Sequence, residues 1–135
     1  MVRLFIAYPF RPEAQEIVDR IIRPVLQRQG VRYVTGADKD SSGGDVAECL
    51  RESIANCSAL VAIVTGRNPN VFFEIGVASA LAKPCLLLAS AASDATMLEG
   101  TYPVIMVTPA ERATQELESH LSLWRLVEAS ASATA

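Results

Sequence analysis

Short apolar runs alternate with longer amphipathic segments from one end of the chain to the other. Compact runs of aliphatic and β-branched residues are typical of strands, whereas apolar positions spaced three and four apart are typical of helices. The pattern predicts strands over residues 2–7, 31–35, 60–64, 85–89 and 103–107. Predicted helices lie between or after them, over residues 12–29, 46–57 and 71–82 and from Pro109 or Ala110 onward.

Three segments modify this pattern. Pro24 lies within the first helical segment, and because proline has no backbone N–H and crowds the preceding turn, we expect that helix to bend or divide near Arg23. Residues 36–44 are polar and rich in glycine, which predicts a loop, and Asp45 can cap the helix that follows. Residues 90–101 predict a second loop.

The alternation of strands and helices indicates a parallel sheet that is covered by helices on both faces. The predicted fold class is α/β, a flavodoxin-like or Rossmann-like three-layer sandwich with five parallel strands in the order 2-1-3-4-5. In that order the chain reverses direction between strands one and three, and ligands bind outside the carboxyl ends of those strands. The loops at that point are residues 8–11 and 65–70, so the fold alone predicts a site there.

The length and composition of the chain indicate how it is organised into domains. The chain has 135 residues, of which 50% are hydrophobic and 20% charged, a balance typical of one globular domain. We find no internal repeat and no linker. We therefore predict one domain over residues 1–127, followed by a small-residue tail over 128–135 that we expect to be frayed.

Charge and cysteine content exclude several classes of function. The formal net charge is −3 and no dense block of Lys and Arg occurs, so we expect no nucleic-acid polymer as a partner. No apolar run is long enough to span a membrane, and we expect no membrane partner. Cys49, Cys57 and Cys85 lie in apolar runs without paired spacing, which favours small buried side chains over a metal site or a disulfide. Reduced thiols fit a cytoplasmic location, and we expect neither a metal nor a cofactor.

The segment TGRNPNVFFEIG, residues 65–76, carries the candidate chemistry. Asn68 before Pro69 is typical of a helix N-cap followed by proline at the first helical position, and Asn70 is an alternative cap. With either cap, Glu74 lies close to the positive end of the predicted helix.

Glu74 also shares a face of this helix with an apolar stripe formed by Val71, Ile75, Ala78 and Ala82. A carboxylate on that face, beside the crevice, is partly desolvated, which raises its pKa, whereas the helix end lowers it. A group balanced in this way suits nucleophilic or acid–base chemistry. Alternatively, Glu74 stabilises the helix end or pairs with a Lys or Arg, and the pattern leaves both interpretations open.

Further candidates flank the crevice. Tyr8 ends strand one, where its phenol can orient the carboxylate or serve as a half-buried aromatic. Arg11 and Arg67 lie on the two sides of the crevice and can neutralise a phosphate, although most surface arginines have no such role. Gly76 suggests a close approach of the helix to its neighbour, or of a ligand to the backbone. Gly43 and Gly44, which precede a predicted helix, can bind an anion through their backbone N–H groups, although this signal is weak. We expect His120 to lie at the surface.

The run SALVAIVTGRNPNVFFEIGVA, residues 58–78, closing with Ala82, Lys83 and Pro84, resembles the core motif of the nucleoside 2-deoxyribosyltransferase-like superfamily. That superfamily includes nucleotide N-hydrolases and is related to TIR-type NAD hydrolases. The resemblance implies that Glu74 is the nucleophile that attacks the anomeric carbon of a sugar, and that Tyr8 acts beside it.

The resemblance also extends to the binding residues. Asn68 matches a polar residue that contacts the sugar or the phosphate in the family. We expect substrate contacts from the loop around it and from the strand-one loop, namely from Arg11, Thr65, Gly66, Arg67, Asn68 and Asn70.

The sequence departs from the family pattern in two places. The acidic residue with which the deoxyribosyltransferases contact the base aligns with Leu50 or Arg51, and Glu52 lies just beyond. The glycine-rich strand-one loop of the nucleotide hydrolases is replaced by residues 8–11, Tyr-Pro-Phe-Arg, and residues 4–8 are closer to the opening strand of TIR domains.

The leading hypothesis is cleavage or transfer at the N-glycosidic bond of a nucleoside, nucleotide or dinucleotide. One alternative is TIR-like NAD hydrolysis, and another is a non-catalytic nucleotide-sensing or assembly module. We also expect a homo-oligomer, since Leu123 and Trp124 lie at different angles on the last helix and one of them can remain outward.

Overall fold

The computed structural model describes residues 2–36, 46–98 and 100–134. Within these ranges one parallel sheet is formed by β1 Arg3–Ala7, β2 Arg32–Thr35, β3 Ala59–Ile63, β4 Cys85–Ala89 and β5 Val104–Met106. The strand order is β2-β1-β3-β4-β5, and every neighbouring pair is parallel. The predicted Rossmann-like α/β fold and its strand order are confirmed. Gly43, Gly44 and Asp45, for which we predicted an anion site and a helix cap, lie outside the described residues.

Helices cover both faces of the sheet. Every residue of β3 and of β4 is buried, as their almost purely aliphatic composition requires for strands with two covered faces. Alternate side chains of β1 enter separate cores, with Leu4 and Ile6 in one and Phe5 and Ala7 in the other. The three-layer arrangement therefore rests on two hydrophobic cores, one on each side of the sheet.

The first helical segment consists of α1 Pro12–Ile17, a π-helical turn Val18–Ile22 and α2 Arg23–Gln29. The interruption falls just before Pro24, where the sequence predicted a bend or a division. The wider π turn relieves the clash that the proline ring makes with the carbonyl one turn earlier in an α-helix, so the helical run continues.

The other helices are α3 Val46–Ala55, α4 Pro69–Ala80 and α5 Ala110–Thr134, and a short 3-10 helix, Ala92–Leu98, lies in the loop after β4. Against expectation, α5 continues past residue 128 into most of the segment predicted as a frayed tail. That segment is rich in alanine, which has the highest helix propensity, so the helix can extend through it. Among the described residues, no helix combines the length and apolar character that a membrane crossing requires.

Candidate active site

A small cavity lies outside the carboxyl ends of β1 and β3, where the strand order predicted a ligand site. Its volume is about 70 Å³. It is lined by Ile6, Tyr8, Pro9, Phe10, Gly36, Asn68, Asn70 and Glu74. The two predicted loops therefore meet at one cavity, and the end of β2 contributes Gly36 to it.

Asn68 sets the start of α4 and hence the position of Glu74. Its side-chain oxygen Oδ1 accepts hydrogen bonds from the backbone N–H groups of Asn70, at 2.9 Å, and Val71, at 3.3 Å. Asn68 is therefore the N-cap and Pro69 the first helical residue, which decides between the two caps that the sequence allowed. Glu74 is then the sixth residue of α4, in the second turn of the helix.

Glu74 lies on the buried face of α4 although it is a carboxylate. Val71, Ile75 and Ala78 are buried on the same face, and Glu74 is only 8% exposed. Ala82, which we predicted to continue this stripe, lies beyond the end of α4 and is exposed with a φ of 56°. The stripe therefore ends at Ala78, and Glu74 lies at the cavity end of it.

The environment of the Glu74 carboxylate favours its protonated form. Its Oε2 atom is buried and has no hydrogen-bond partner. Burial raises the pKa of Glu74 from the usual 4.5 to about 7. The opposing effect of the helix end is weak here, because it fades beyond the first turn and Glu74 lies in the second. The pKa of this carboxyl group is therefore shifted toward neutral pH, as the pKa values of acid–base and nucleophilic groups often are.

Two aromatic residues form the β1 side of the cavity. Tyr8 follows β1 directly and is half-buried against the core. The Phe10 ring packs edge-on against the Tyr8 ring, with centroids 5.8 Å apart and an interplanar angle of 78°. Phe10 is 76% exposed, so a large apolar ring stands at the mouth of the cavity. Sequence reasoning did not include Phe10 among the site residues, although it lies in the loop that the strand order had selected.

Gly36 is the second site residue that sequence reasoning missed. A Cβ atom at this position would lie 3.8 Å from Oε2 of Glu74 and 4.0 Å from Cδ2 of Leu50. Gly36 directly follows β2, whose carboxyl end lies at the same edge of the sheet as that of β1. The predicted strand order, in which β2 lies beside β1, could therefore have indicated that Gly36 lies at the site.

Arg11, Gly66 and Arg67 lie beside the cavity, not among its lining residues. Nη1 of Arg11 lies 3.1 Å from the position that a Cβ atom would take at Gly66, whose φ is +77°. The guanidinium group of Arg11 thus lies against the loop that follows β3. Both arginine residues are exposed.

The Thr65 hydroxyl contacts Ser90, and its predicted contact with substrate stays a prediction. Its Oγ1 lies 3.0 Å from Oγ of Ser90 and accepts a hydrogen bond from the Ser90 backbone N–H at 3.1 Å. The Thr65 hydroxyl therefore ties the loop after β3 to the end of β4. It is not among the residues that line the cavity.

The expectation that Gly76 allows a close helix approach is wrong. Gly76 is exposed, and a Cβ atom added there would meet nothing within 4 Å. It lies on the outer face of α4, opposite the stripe that packs on the sheet. Within the described part of the chain, no neighbouring group therefore requires a glycine at this position.

Cys49, Cys57 and Cys85 form no disulfide; Cys57 and Cys85 are buried and Cys49 is half-buried. Burial raises the pKa of Cys85 to about 11. Within the described ranges, His, Cys, Asp and Glu side chains nowhere form a group of three or more that could hold a metal ion. His120 lies half-buried on α5, beside a shallow surface depression.

Several solved protein structures are similar to this one. A 2-deoxyribosyltransferase from Bacillus psychrosaccharolyticus matches with a TM-score of 0.65 and 16% identity, over 87% of this chain and 90% of the other. The CMP N-glycosidase BcmB of Clostridium botulinum matches with a TM-score of 0.63 and 21% identity, over 86% and 98%. The TIR domain of a Toll-related receptor from Hydra magnipapillata matches with a TM-score of 0.59 and 18% identity, over 93% and 97%.

The chain shares the fold of these proteins. Those are the groups that the sequence resemblance named, so the resemblance is confirmed at the level of the fold. No family model matches the sequence, and no curated protein matches it either.

Proposed function

We propose that this protein cleaves or transfers at the N-glycosidic bond of a nucleoside or nucleotide, with Glu74 as the nucleophile. The observation that carries the proposal is the buried carboxylate of Glu74, whose Oε2 has no hydrogen-bond partner, in a cavity at the strand-reversal point. Burying a carboxylate oxygen without a partner costs free energy, and such arrangements are concentrated at functional sites. Two of the structural neighbours, a 2-deoxyribosyltransferase and a CMP N-glycosidase, act on bonds of this kind and support the proposal.

The proposed reaction has two steps. In the first, an ionised oxygen of Glu74 forms a bond to the anomeric carbon while the carbon–nitrogen bond breaks, and the electron pair leaves with the base, which takes up a proton. In the second, water, which gives up a proton to solvent, or a nitrogen of another base attacks the same carbon, the bond between that carbon and Glu74 breaks, and the carboxylate is released. This route is the double displacement of retaining glycosidases. The Tyr8 phenol, beside the cavity, would orient the reacting groups.

A binding mode follows from the size of the cavity. Ligand pockets commonly measure about 300–1,000 Å³, whereas this cavity measures about 70 Å³. We propose that only the sugar enters it, between Glu74 and Asn70, while the rest of the ligand lies across the rim. Phe10 would contact the base there, since an exposed aromatic ring offers a stacking surface.

The decisive experiment is incubation of the protein with a panel of nucleosides, nucleotides and NAD, with free base followed by chromatography. The proposal predicts release of base from at least one compound, or exchange of base when an acceptor base is added. Absence of release and of exchange across the whole panel would contradict the enzymatic proposal.

Hydrolysis of NAD is the second candidate, favoured by the likeness of the fold to a TIR domain. It predicts release of nicotinamide from NAD without an acceptor base. A non-catalytic nucleotide-binding module is the third. It is favoured because the acidic base contact of the deoxyribosyltransferases aligns with Leu50 or Arg51, and the apolar Cδ2 atom of Leu50 would lie 4.0 Å from a Cβ atom at Gly36. That module predicts thermal stabilisation by a nucleotide with no turnover.

A further inference from the structure

The outer face of α4 is apolar although it is exposed. Phe73, Gly76 and Ala80 are exposed on the side of the helix opposite the stripe that packs on the sheet. The one charged residue of α4, Glu74, is buried, so the exposed side of this helix carries no charge. An exposed helix of a globular protein typically has charged and polar residues on its outer face. The composition of α4 therefore suits a helix that is covered on both sides.

The outer face of α4 also has the shape of a groove. Residues four apart form rows on a helix surface, and rows of large residues are ridges with grooves between them. Gly76 and Ala80 form one row, beside the row of Phe73 and Val77. Phe73 is 48% exposed, and a Cβ atom at Gly76 would meet nothing within 4 Å among the described residues. We call this surface, formed by Phe73, Gly76, Val77 and Ala80, the α4 groove.

The outer face of α5 has the opposite shape. Leu123 and Val127 are four residues apart and form a ridge with Leu126 beside it, and all three are exposed. We call these three residues the α5 ridge. The rows on its two sides contain Leu126 and Trp124, so α5 offers no groove of small residues to a second α5. The α4 groove, by contrast, offers a row of small residues into which such a ridge fits.

The α4 groove and the α5 ridge lie on opposite sides of the sheet. The inward residues of α4 belong to one hydrophobic core, and those of α5 belong to the other. The two surfaces therefore cannot meet within one molecule, whereas every second copy presents both of them. Because both surfaces are apolar and uncharged, contact between them would remove apolar area from water without burying a charge.

We propose that the α5 ridge of one copy packs into the α4 groove of a second copy, in a head-to-tail contact. Each copy then uses two different surfaces, and after one contact has formed, one groove and one ridge remain free. Further copies can add at both ends until a ring closes or a filament forms. This inference goes beyond the proposed function, since no residue of either surface lines the cavity.

Two substitutions block the two surfaces separately. Phe73→Glu places a charge in the α4 groove and leaves the α5 ridge intact, whereas Leu126→Glu does the reverse. Because the contact would bury that charge, each variant alone should associate at least about tenfold more weakly than the wild type. Sedimentation over roughly 1–100 μM protein should show species larger than a dimer for the wild type and monomers for both variants.

Mixing the two variants is the decisive measurement. The ridge of the Phe73→Glu protein and the groove of the Leu126→Glu protein are both intact. An equimolar mixture should therefore form a dimer that contains one copy of each variant, and nothing larger. Native mass spectrometry identifies this dimer, because the two substitutions change the mass of the chain by different amounts.

Gly76→Leu tests the shape of the groove separately from its apolar character. The new side chain has space within the described part of the chain, makes the outer face of α4 more apolar and fills the groove. The proposal predicts association at least about tenfold weaker than in the wild type, whereas an unspecific apolar patch would associate more strongly. Met106→Glu is the matched control, because Met106 is an exposed apolar residue of β5 outside both surfaces. It should leave association unchanged, and melting temperatures verify that every variant is folded.

Several results would overturn the inference. A wild-type protein that stays monomeric over the whole range would do so, as would a mixture of the two variants that stays monomeric. Association of Leu126→Glu alone would indicate contact between two α4 helices, and association of Phe73→Glu alone would indicate contact between two α5 helices. Stronger association of Gly76→Leu would contradict the groove. Because none of these measurements involves turnover, the contact and the proposed reaction can each fail independently.

Discussion

A Cβ atom at Gly36 would lie 3.8 Å from Oε2 of Glu74. This distance is an ordinary van der Waals contact, and φ at Gly36 lies outside the left-handed region, so alanine fits there without strain. The added methyl group would fill the space beside the buried oxygen with an apolar group. Gly36 is therefore a position from which the ionisation of Glu74 can be altered without changing the carboxylate itself.

The Gly36→Ala variant tests this relationship. Deeper burial of the carboxylate should raise the pKa of Glu74 further, so the acid limb of the profile of kcat/KM against pH should move to higher pH. Gly76→Ala is the control, because a Cβ atom there meets nothing within 4 Å. It should leave the profile unchanged and stabilise the protein by about 0.5–1 kcal/mol, since alanine favours a helix over glycine. An unshifted profile in Gly36→Ala would contradict the contact.

The raised pKa of Glu74 also predicts how stability depends on pH. The pKa is about 7 in the folded protein and near 4.5 in the unfolded chain, so the folded state binds the proton more tightly between these values. Any stability that Glu74 contributes is present at low pH and is lost as pH rises through about 7. Glu74→Gln, which has no charge to desolvate, should therefore gain about 2–3 kcal/mol of stability relative to the wild type between pH 5 and pH 8.

Urea unfolding of the two proteins at both pH values measures this gain. If Glu74 instead stabilised the end of α4, Glu74→Gln would be the less stable protein at pH 8, by about 0.3–1 kcal/mol. The sign of the difference at pH 8 thus separates the two interpretations that the sequence left open.

Thr65 provides a test of a residue that we first predicted to bind substrate. Because its hydroxyl is engaged by Ser90, Thr65→Val should lower the free energy of unfolding by about 1–2 kcal/mol with little effect on nucleotide affinity. A double-mutant cycle with Ser90→Ala should show non-additive losses, because each substitution removes the same hydroxyl pair. Additive losses would contradict the coupling of the two hydroxyl groups, and a large fall in affinity with stability intact would support the substrate contact predicted for Thr65.

Much of this architecture was predictable because neighbouring residues encode it. The short aliphatic runs of β3 and β4 are typical of strands covered on both faces, and Asn68 followed by Pro69 is typical of a helix start. Once that start is known, the helical period places Glu74 on the buried face with Val71 and Ile75.

The remaining features depend on contacts between distant segments. Gly36 approaches Glu74 only because β2 lies beside β1, and Ser90 engages Thr65 only because β4 lies beside β3. No local pattern distinguishes such a glycine or threonine from any other. The extension of α5 was missed for another reason: a run of alanine and serine is compatible with either a frayed tail or a helix.

The predicted homo-oligomer stays a prediction, and α5 indicates where to test it. Trp124 packs against the core, whereas Leu123, Leu126 and Val127 are 57%, 66% and 61% exposed. Their spacing places them on one face of the helix, and an outward apolar patch commonly marks an interface. Sedimentation at tens of micromolar protein, an order-of-magnitude choice for weak association, should show a dimer or larger species, and Leu126→Glu should dissociate it. A wild-type monomer under these conditions would contradict the prediction.

The most direct test of the central claim is to trap the sugar on Glu74. A substrate with fluorine at the sugar carbon next to the anomeric carbon slows the second step more than the first, so the glycosyl–enzyme should accumulate. Mass spectrometry of the intact protein should then show an increment equal to the fluorinated sugar, and peptide mapping should place it on Glu74. Glu74→Gln should show neither the increment nor turnover. An adduct on another residue, or full turnover by Glu74→Gln, would contradict the assignment of Glu74 as the nucleophile.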